Sequence, residues 1–358
     1  VRIMAYTTID DSSAYFFTQL YTGNGSANHA ITNSALEDMQ GDLVWIKNRD
    51  EDDGHCVFDS SRGATKLLDS ATTAQETTDA DTLDSFLSDG FQVDADVKVN
   101  TNTENYVAWQ WACNGGTTAN NTTGDIESTV QVNTTAGFSM VRYQGTGVDN
   151  DSIGHTLGVA PEVIIIKKYS ETDDWMVFHH KLTSGYELKL STAGAQADDA
   201  SNATWGDNHP GNISSTVFEV GYAGDANADG ADHIAYCFTP IQGYSKFGGY
   251  TGNASTDGVF IYTGFKPAWV MTKKTYNTSN WHISDNKRGT SNPVVAAMIA
   301  DSADAENTIL DQVGMDFLSN GFKFRGANDT QNGDGTYVYM AFAEQPFVTS
   351  GGVPCTAR

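Results

Sequence analysis

Residues 41–63 (GDLVWIKNRDEDDGHCVFDSSRG), 161–183 (PEVIIIKKYSETDDWMVFHHKLT) and 267–289 (PAWVMTKKTYNTSNWHISDNKRG) align without a gap. Each opens with an apolar run that ends in a lysine, Lys47, Lys167 or Lys273. Eight residues on stands His55, Trp175 or Trp281, and ten residues on stands Val57, Val177 or Ile283. Short runs rich in β-branched and aromatic residues, separated by Asp, Asn, Ser and Gly, read as two strands and a connecting turn. A match of this length at three places is an internal repeat, and it constrains the fold before any single motif does.

The correspondence extends in both directions. An aromatic-glycine turn recurs upstream at Tyr21, Tyr143 and Tyr250, lying 26, 24 and 23 residues before the respective lysine. Downstream, Phe91, Phe218 and Phe322 each open a strand, and in every copy an aromatic follows 20 residues later, at Trp111, Phe238 and Phe342. The last strand of each copy reads YVAWQW, HIAYCF or YVYMAF. Its alternate positions Val107, Trp109 and Trp111, Ile234, Tyr236 and Phe238, or Val338, Met340 and Phe342 are apolar, which is the period-2 signature of a strand with a face in a core. The expected class is therefore all-β, with three tandem antiparallel β-sandwich domains of jelly-roll or concanavalin-like type. Their bounds are read as 15–112, 138–240 and 241–347, with an N-terminal arm at 1–14, a Thr/Asn/Gly-rich linker at 113–137 and a C-terminal tail at 348–358. Helix is expected to be scarce, confined to short turns at 83–87 and 294–300.

Composition narrows the partners. A length of 358 residues suits two to four domains, since single cores stop growing near about 250–300 residues. The formal charge of −25 argues against nucleic acid, whose binding depends on Lys and Arg displacing counterions. Apolar runs such as 163–166 fall far short of a membrane span, which needs about 20 residues, so no membrane insertion is expected. The four cysteines, Cys56, Cys113, Cys237 and Cys355, form no CxxC pair and no repeated position, and read as incidental thiols. No GxSxG, HExxH or P-loop motif is present, and 45 acidic residues make chance carboxylate pairs uninformative. The expectation is a non-enzyme.

The repeat itself assigns most eye-catching residues to scaffold. Trp45, Trp109, Trp111, Trp175, Trp269 and Trp281 occupy positions that are apolar or aromatic in sister copies, so they read as core. Asp59 with Arg62, and Asp285 with Arg288, recur at one spacing beside a glycine and read as turn-fixing ion pairs. The adjacent His179 and His180 point to opposite faces of a strand and so are unsuited to ligating one ion. Two features remain as candidate sites. The insertion WGDNHPGN in the second copy offers Trp205 with Asp207, Asn208, His209 and Asn212, an aromatic beside amides and a carboxylate, as a candidate glycan-binding site. Asp225, Asn227 and Asp229 begin as a D-x-N-x-D-G calcium loop, but the twelfth position is Tyr236 where a bidentate Glu is required. The third copy carries Asn328, Asp329, Asn332, Asp334 and Gly335 in the equivalent loop, so calcium is a candidate cofactor set against a plain polar turn that explains both loops.

The runs LVWIK, DSSRG, LSDGFQV and ENYVAWQW, together with the opening AYTTIDDSSAYFFTQLYTGNGS, resemble the repeated β-sandwich domain of structural and tail-fibre proteins of marine bacteriophages. The resemblance covers the whole chain and is strongest in the first copy. The second copy departs most, with His179, Leu182 and Thr183 where the others carry Asp, Arg and Gly. The resemblance implies a virion structural protein made in the host cytoplasm and placed on the virion surface as a fibre, spike or decoration. Its implied partners are other virion proteins, further copies of itself and a host cell-surface glycan. A secreted bacterial carbohydrate-binding lectin or adhesin is the alternative, with a polysaccharide depolymerase behind it.

Overall fold

The computed structural model describes residues 5–199, 201–207, 209–308 and 314–356. The chain is all-β and antiparallel, and each repeat builds a large sheet backed by a small one. In the first repeat the large sheet runs Phe16–Thr22, Asn105–Trp111, Leu43–Asn48, Cys56–Asp59, and the small sheet runs His29–Ile31, Gly90–Val93, Leu83–Leu87. The third repeat has the same order, with Ser245–Gly252, Gly335–Pro346, Phe265–Lys274, His282–Asp285 and Ala297–Ile299 over Phe260–Tyr262, Gly321–Phe324 and Met315–Leu318. The second places Phe138–Gln144, Asp232–Phe238, Val163–Lys168, Trp175–His179 and Tyr186–Lys189 over Asp151–Gly154 and Val217–Val220. The segment expected to be a linker is not one. Its residues Ala119–Asn121 and Ser128–Asn133 form two strands that extend the second large sheet beyond Phe138–Gln144. The expected helical turns are also strands, because Leu83–Leu87 pairs with Gly90–Val93 and Ala297–Ile299 pairs with His282–Asp285. Ladder pairing supplies more backbone hydrogen bonds than an isolated turn of helix, and it prevails over local propensity.

The continuous apolar runs have a simple cause: each large sheet is buried on both faces. Alternate residues of one strand enter different cores. Ile164 and Ile166 face the interior of the second sandwich, whereas Val163 and Ile165 face a cluster common to the whole chain. Val44 and Ile46 against Leu43 and Trp45 repeat the division in the first unit. The shared cluster draws on Trp45, Trp109 and Trp111, on Trp175, Tyr236 and Phe238, and on Trp269, Trp281 and Phe342. Six of the seven tryptophans thus serve this cluster, each removed from water, and burying an aromatic of that size contributes about 3 kcal/mol. An apolar void of about 30 Å³ remains at the axis, so the three sheets close on one another.

Hydrogen bonds at equivalent positions show that the closure is cyclic. The backbone N–H of Glu76 donates to Tyr169 O at 2.8 Å, that of Gln196 to Thr275 O at 3.0 Å, and that of Glu306 to Arg49 O at 3.0 Å. The indole N–H of Trp175 donates to Asp69 O at 3.0 Å and that of Trp281 to Lys189 O at 2.9 Å, while His55 Nε2 meets Ile299 O at 2.9 Å. First meets second, second meets third, and third meets first. The repeats are therefore sectors of one pseudo-threefold body.

Buried polar groups lock the seams. Arg62 and Asp59 pair at 2.6 Å, and Arg288 and Asp285 at 2.5 Å, with both partners removed from solvent. Each carboxylate also receives a bond from the neighbouring sector, Asp59 from the Tyr236 hydroxyl at 2.7 Å and Asp285 from the Trp109 indole at 3.0 Å. At the third seam His179 replaces the aspartate and donates from Nε2 to Tyr339 O at 3.1 Å. The repeated lysines are buried: Lys167 reaches Thr73 O at 3.0 Å and Lys273 reaches Ala193 O at 3.2 Å.

Candidate functional site

The structure places the residues of both sequence candidates within the scaffold. Trp205 is fully buried. The Asp199 carboxylate accepts from the backbone N–H groups of Ala203, Thr204 and Trp205 at 2.8–3.3 Å, and this turn drives the indole into the second sandwich. There it packs against Phe178 and stacks on His209, with ring centroids 5.9 and 5.8 Å away. His209 and Asn212 are buried with it, Asp207 alone is exposed and bonds Asn202 and Asn150, and Asn208 lies outside the described residues. No aromatic face is left for a sugar. Burial of an indole outweighs the polar neighbours that made the segment look like a binding loop.

The calcium candidate fails on its donors. Gly224–Asn227 is a single helical turn. Asn227 donates to Val148 O at 2.8 Å and Gly221 O at 2.7 Å, and its Oδ1 accepts from the Thr146 N–H at 2.9 Å. Asn100 and Asn332 hold the same place in the other sectors: Asn100 takes the Asn24 N–H and donates to Ser26 O and Asp94 O, while Asn332 takes the Asn253 N–H and donates to Ser255 O and Gly326 O. A tyrosine hydroxyl from the recurrent aromatic-glycine turn donates beside each, Tyr21 to Val99 O, Tyr143 to Ala226 O and Tyr250 to Gln331 O. Asn227 is thus a repeated backbone pin. Burial raises the Asp225 carboxyl to about 6, and Asp229 is exposed. Among the described residues no three His, Cys, Asp or Glu gather to hold a metal, and Cys56, Cys113, Cys237 and Cys355 are free thiols.

What the body does offer is a set of three equivalent clefts, one in each sector. Each lies between the edge strand of a large sheet, the edge of the small sheet below it and the seam with the neighbouring sector. In the second sector the cleft is filled by the chain itself, because Ser128–Asn133 pairs along Phe138–Gln144. Gln131 of that added strand crosses the seam, its Nε2 donating to the Ser60 and Ser61 hydroxyls at 3.0 Å. In the first sector a cleft of about 290 Å³ lies beside Phe16–Thr22. There Lys287 is folded over the Phe17 ring, 4.8 Å from its centroid.

The cleft of the third sector is the most open, about 510 Å³ beside the edge strand Ser245–Gly252. Phe260 and Tyr262 stand half-exposed on its small-sheet side. Lys246 donates to Tyr262 O at 2.8 Å and sits 5.3 Å from that ring's centroid. Across the seam lie His180 and Lys181, at the positions of Ser60 and Ser61. His180 Nε2 donates to Phe247 O at 3.1 Å and lies 3.2 Å from Glu162 Oε2. Partial burial pushes the Glu162 carboxyl up and the His180 imidazole down, so a neutral imidazole with its proton on Nε2 serves both contacts. Lys181 is exposed and has no ion pair among the described residues. The cleft presents Lys181 and Lys246, the His180–Glu162 pair and exposed aromatic rings. Sequence reading did not find it, although the departure of the second repeat at 179–183 marked its seam.

A family model matches residues 11–346 of the chain, and its description is Domain of unknown function (DUF7483). No curated protein matches the sequence.

Proposed function

The chain belongs to the DUF7483 family, and from that premise we propose that it is a non-enzymatic structural component of a bacteriophage virion, a fibre, spike or decoration that supports host attachment. The observation that carries the reading is the interlocked pseudo-threefold body. All three seams are closed by buried hydrogen bonds, and the titratable groups singled out by the repeat act as fasteners. Such a body makes a rigid building block whose edge clefts and loops meet neighbours. The resemblance of the first sector to marine phage structural proteins points the same way, and the excess negative charge keeps an exposed surface soluble. The alternative of a secreted lectin loses its motivating site with the burial of Trp205.

Mass spectrometry of purified virions tests the reading. The chain is expected among the particle proteins at a copy number that fits a symmetric position. Its absence from particles, together with saccharide-specific binding by the free protein on a glycan array, would overturn it in favour of the lectin.

A further inference from the structure

We propose that the third-sector cleft is a strand-docking site that takes an extended acidic segment of a partner protein, added antiparallel along Ser245–Gly252. The molecule displays the bound arrangement once already. In the second sector the equivalent edge, Phe138–Gln144, carries Ser128–Asn133 from Phe138 to Tyr143, with Gln131 opposite Met140. Met140 corresponds to Phe247 on the free edge, since Phe138 pairs with Phe238 and Ser245 pairs with Phe342 in equivalent registers. A strand laid on Ser245–Gly252 in that register places one residue opposite Phe247.

The side chain at that position chooses the partner. In the filled cleft it is Gln131, and it meets the hydroxyls of Ser60 and Ser61. In the open cleft the same two positions are His180 and Lys181, with Lys246 beside them. His180 is held by Glu162, so the two lysines set the preference: a neutral amide suits two hydroxyls, whereas a carboxylate suits ammonium groups. Phe247 O already accepts from His180, which shows that this carbonyl is turned outward from its own sheet. An incoming backbone N–H takes that place and leaves the imidazole to Glu162, so the incoming carboxylate meets the ammonium groups of Lys181 and Lys246. Gly249 is exposed, and the Lys181 side chain lies against it, which puts that lysine on the edge itself. Lysines on an edge also discourage indiscriminate pairing, so selection by charge is what separates a docking site from a merely guarded edge. The inference concerns how this chain joins a neighbour and does not depend on the neighbour being a virion protein.

The experiment uses the full chain and two fluorescent peptides spanning residues 124–135, GDIESTVQVNTT and the same peptide with Gln131→Glu. Anisotropy titration is expected to show saturable binding of both, tighter for the glutamate peptide by about fivefold, the range of one partly exposed ion pair. Lys181→Glu, a change at an exposed residue, is expected to reverse the order. Equal affinity of the two peptides, absence of saturable binding, or an order unchanged by Lys181→Glu would overturn the proposal. Displacement of bound peptide by maltoheptaose would also overturn it and assign the cleft to sugars.

Discussion

Asp285 and Arg288 illustrate how a residue pair can be structural without being simple. The carboxylate holds Arg288 at 2.5 Å and takes the Trp109 indole from another sector, and the guanidinium beside it keeps the acid below its usual range despite burial. Removing one member leaves an uncompensated buried charge, which costs about 3–5 kcal/mol. Asp285→Asn is therefore expected to lower the urea midpoint by a corresponding amount, and the double change Asp285→Leu with Arg288→Met to lose less. Equal loss from both would show that the indole bond, not the ion pair, dominates. Acid sensitivity follows from the histidines. Burial holds His55 and His179 at about 3 and His209, His233 and His282 at about 4. Their folded pKa lies below the unfolded value near 6.5, so as pH falls the unfolded chain takes up protons that the folded chain refuses. Stability is lost between about pH 6.5 and 4. Glu187, raised to about 7, and Asp225 and Asp301, raised to about 6, pull the other way over about pH 4 to 7. Five strongly depressed imidazoles outweigh three carboxyls, and melting temperature is expected to drop on acidification from pH 7 to 4.5. A rise over that range would show that the carboxyls prevail.

Elements divide cleanly into those legible in sequence and those that needed partners. Lys47, Trp175, Trp281 and the alternating final strands were readable because period-2 apolarity and repetition are properties of the local sequence. The strand Ser128–Asn133 was hidden in a segment of turn-forming composition, since it exists only by pairing with Phe138–Gln144. The burial of Trp205 was not legible, because nothing in its neighbours' polarity reveals that Asp199 turns the loop inward. The turn at Gly224–Asn227 was open between a calcium loop and a plain polar turn because Asn is both a calcium ligand and a backbone pin. That ambiguity is testable. Asn227→Ala removes bonds to Val148 O, Gly221 O and the Thr146 N–H, leaving buried backbone groups unpaired, and is expected to cost about 2 kcal/mol. Millimolar calcium is expected to leave the melting temperature of the unaltered protein unchanged. A calcium-dependent rise that Asn227→Ala abolishes would restore the metal reading.

At the scale of the whole molecule, the decisive property is that the sectors share one core. The faces of Ile165, Trp175, Val177, Ile234, Tyr236 and Phe238 that leave the second sandwich are covered by the first and third sectors. Exposing them on excision forfeits about 2 kcal/mol for each large side chain, a total comparable with the 5–15 kcal/mol that separates a folded domain from its unfolded ensemble. Closure matters as well: Glu306 N–H to Arg49 O and the Arg49–Glu306 ion pair at 2.9 Å join the last sector to the first, so losing any sector opens two seams. Beads on a string would unfold in separate steps. A ring with a common aromatic centre unfolds together. The intact chain is expected to give one calorimetric transition, coincident with loss of near-ultraviolet circular dichroism and with the shift of tryptophan fluorescence, because six tryptophans report on the shared core. The excised fragment 138–240 is expected to bind a hydrophobic dye and to show collapsed amide dispersion by NMR. Three resolved transitions in the intact chain, or a well-dispersed spectrum from the fragment, would mean that each sandwich stands alone and that the common cluster is an interface between domains.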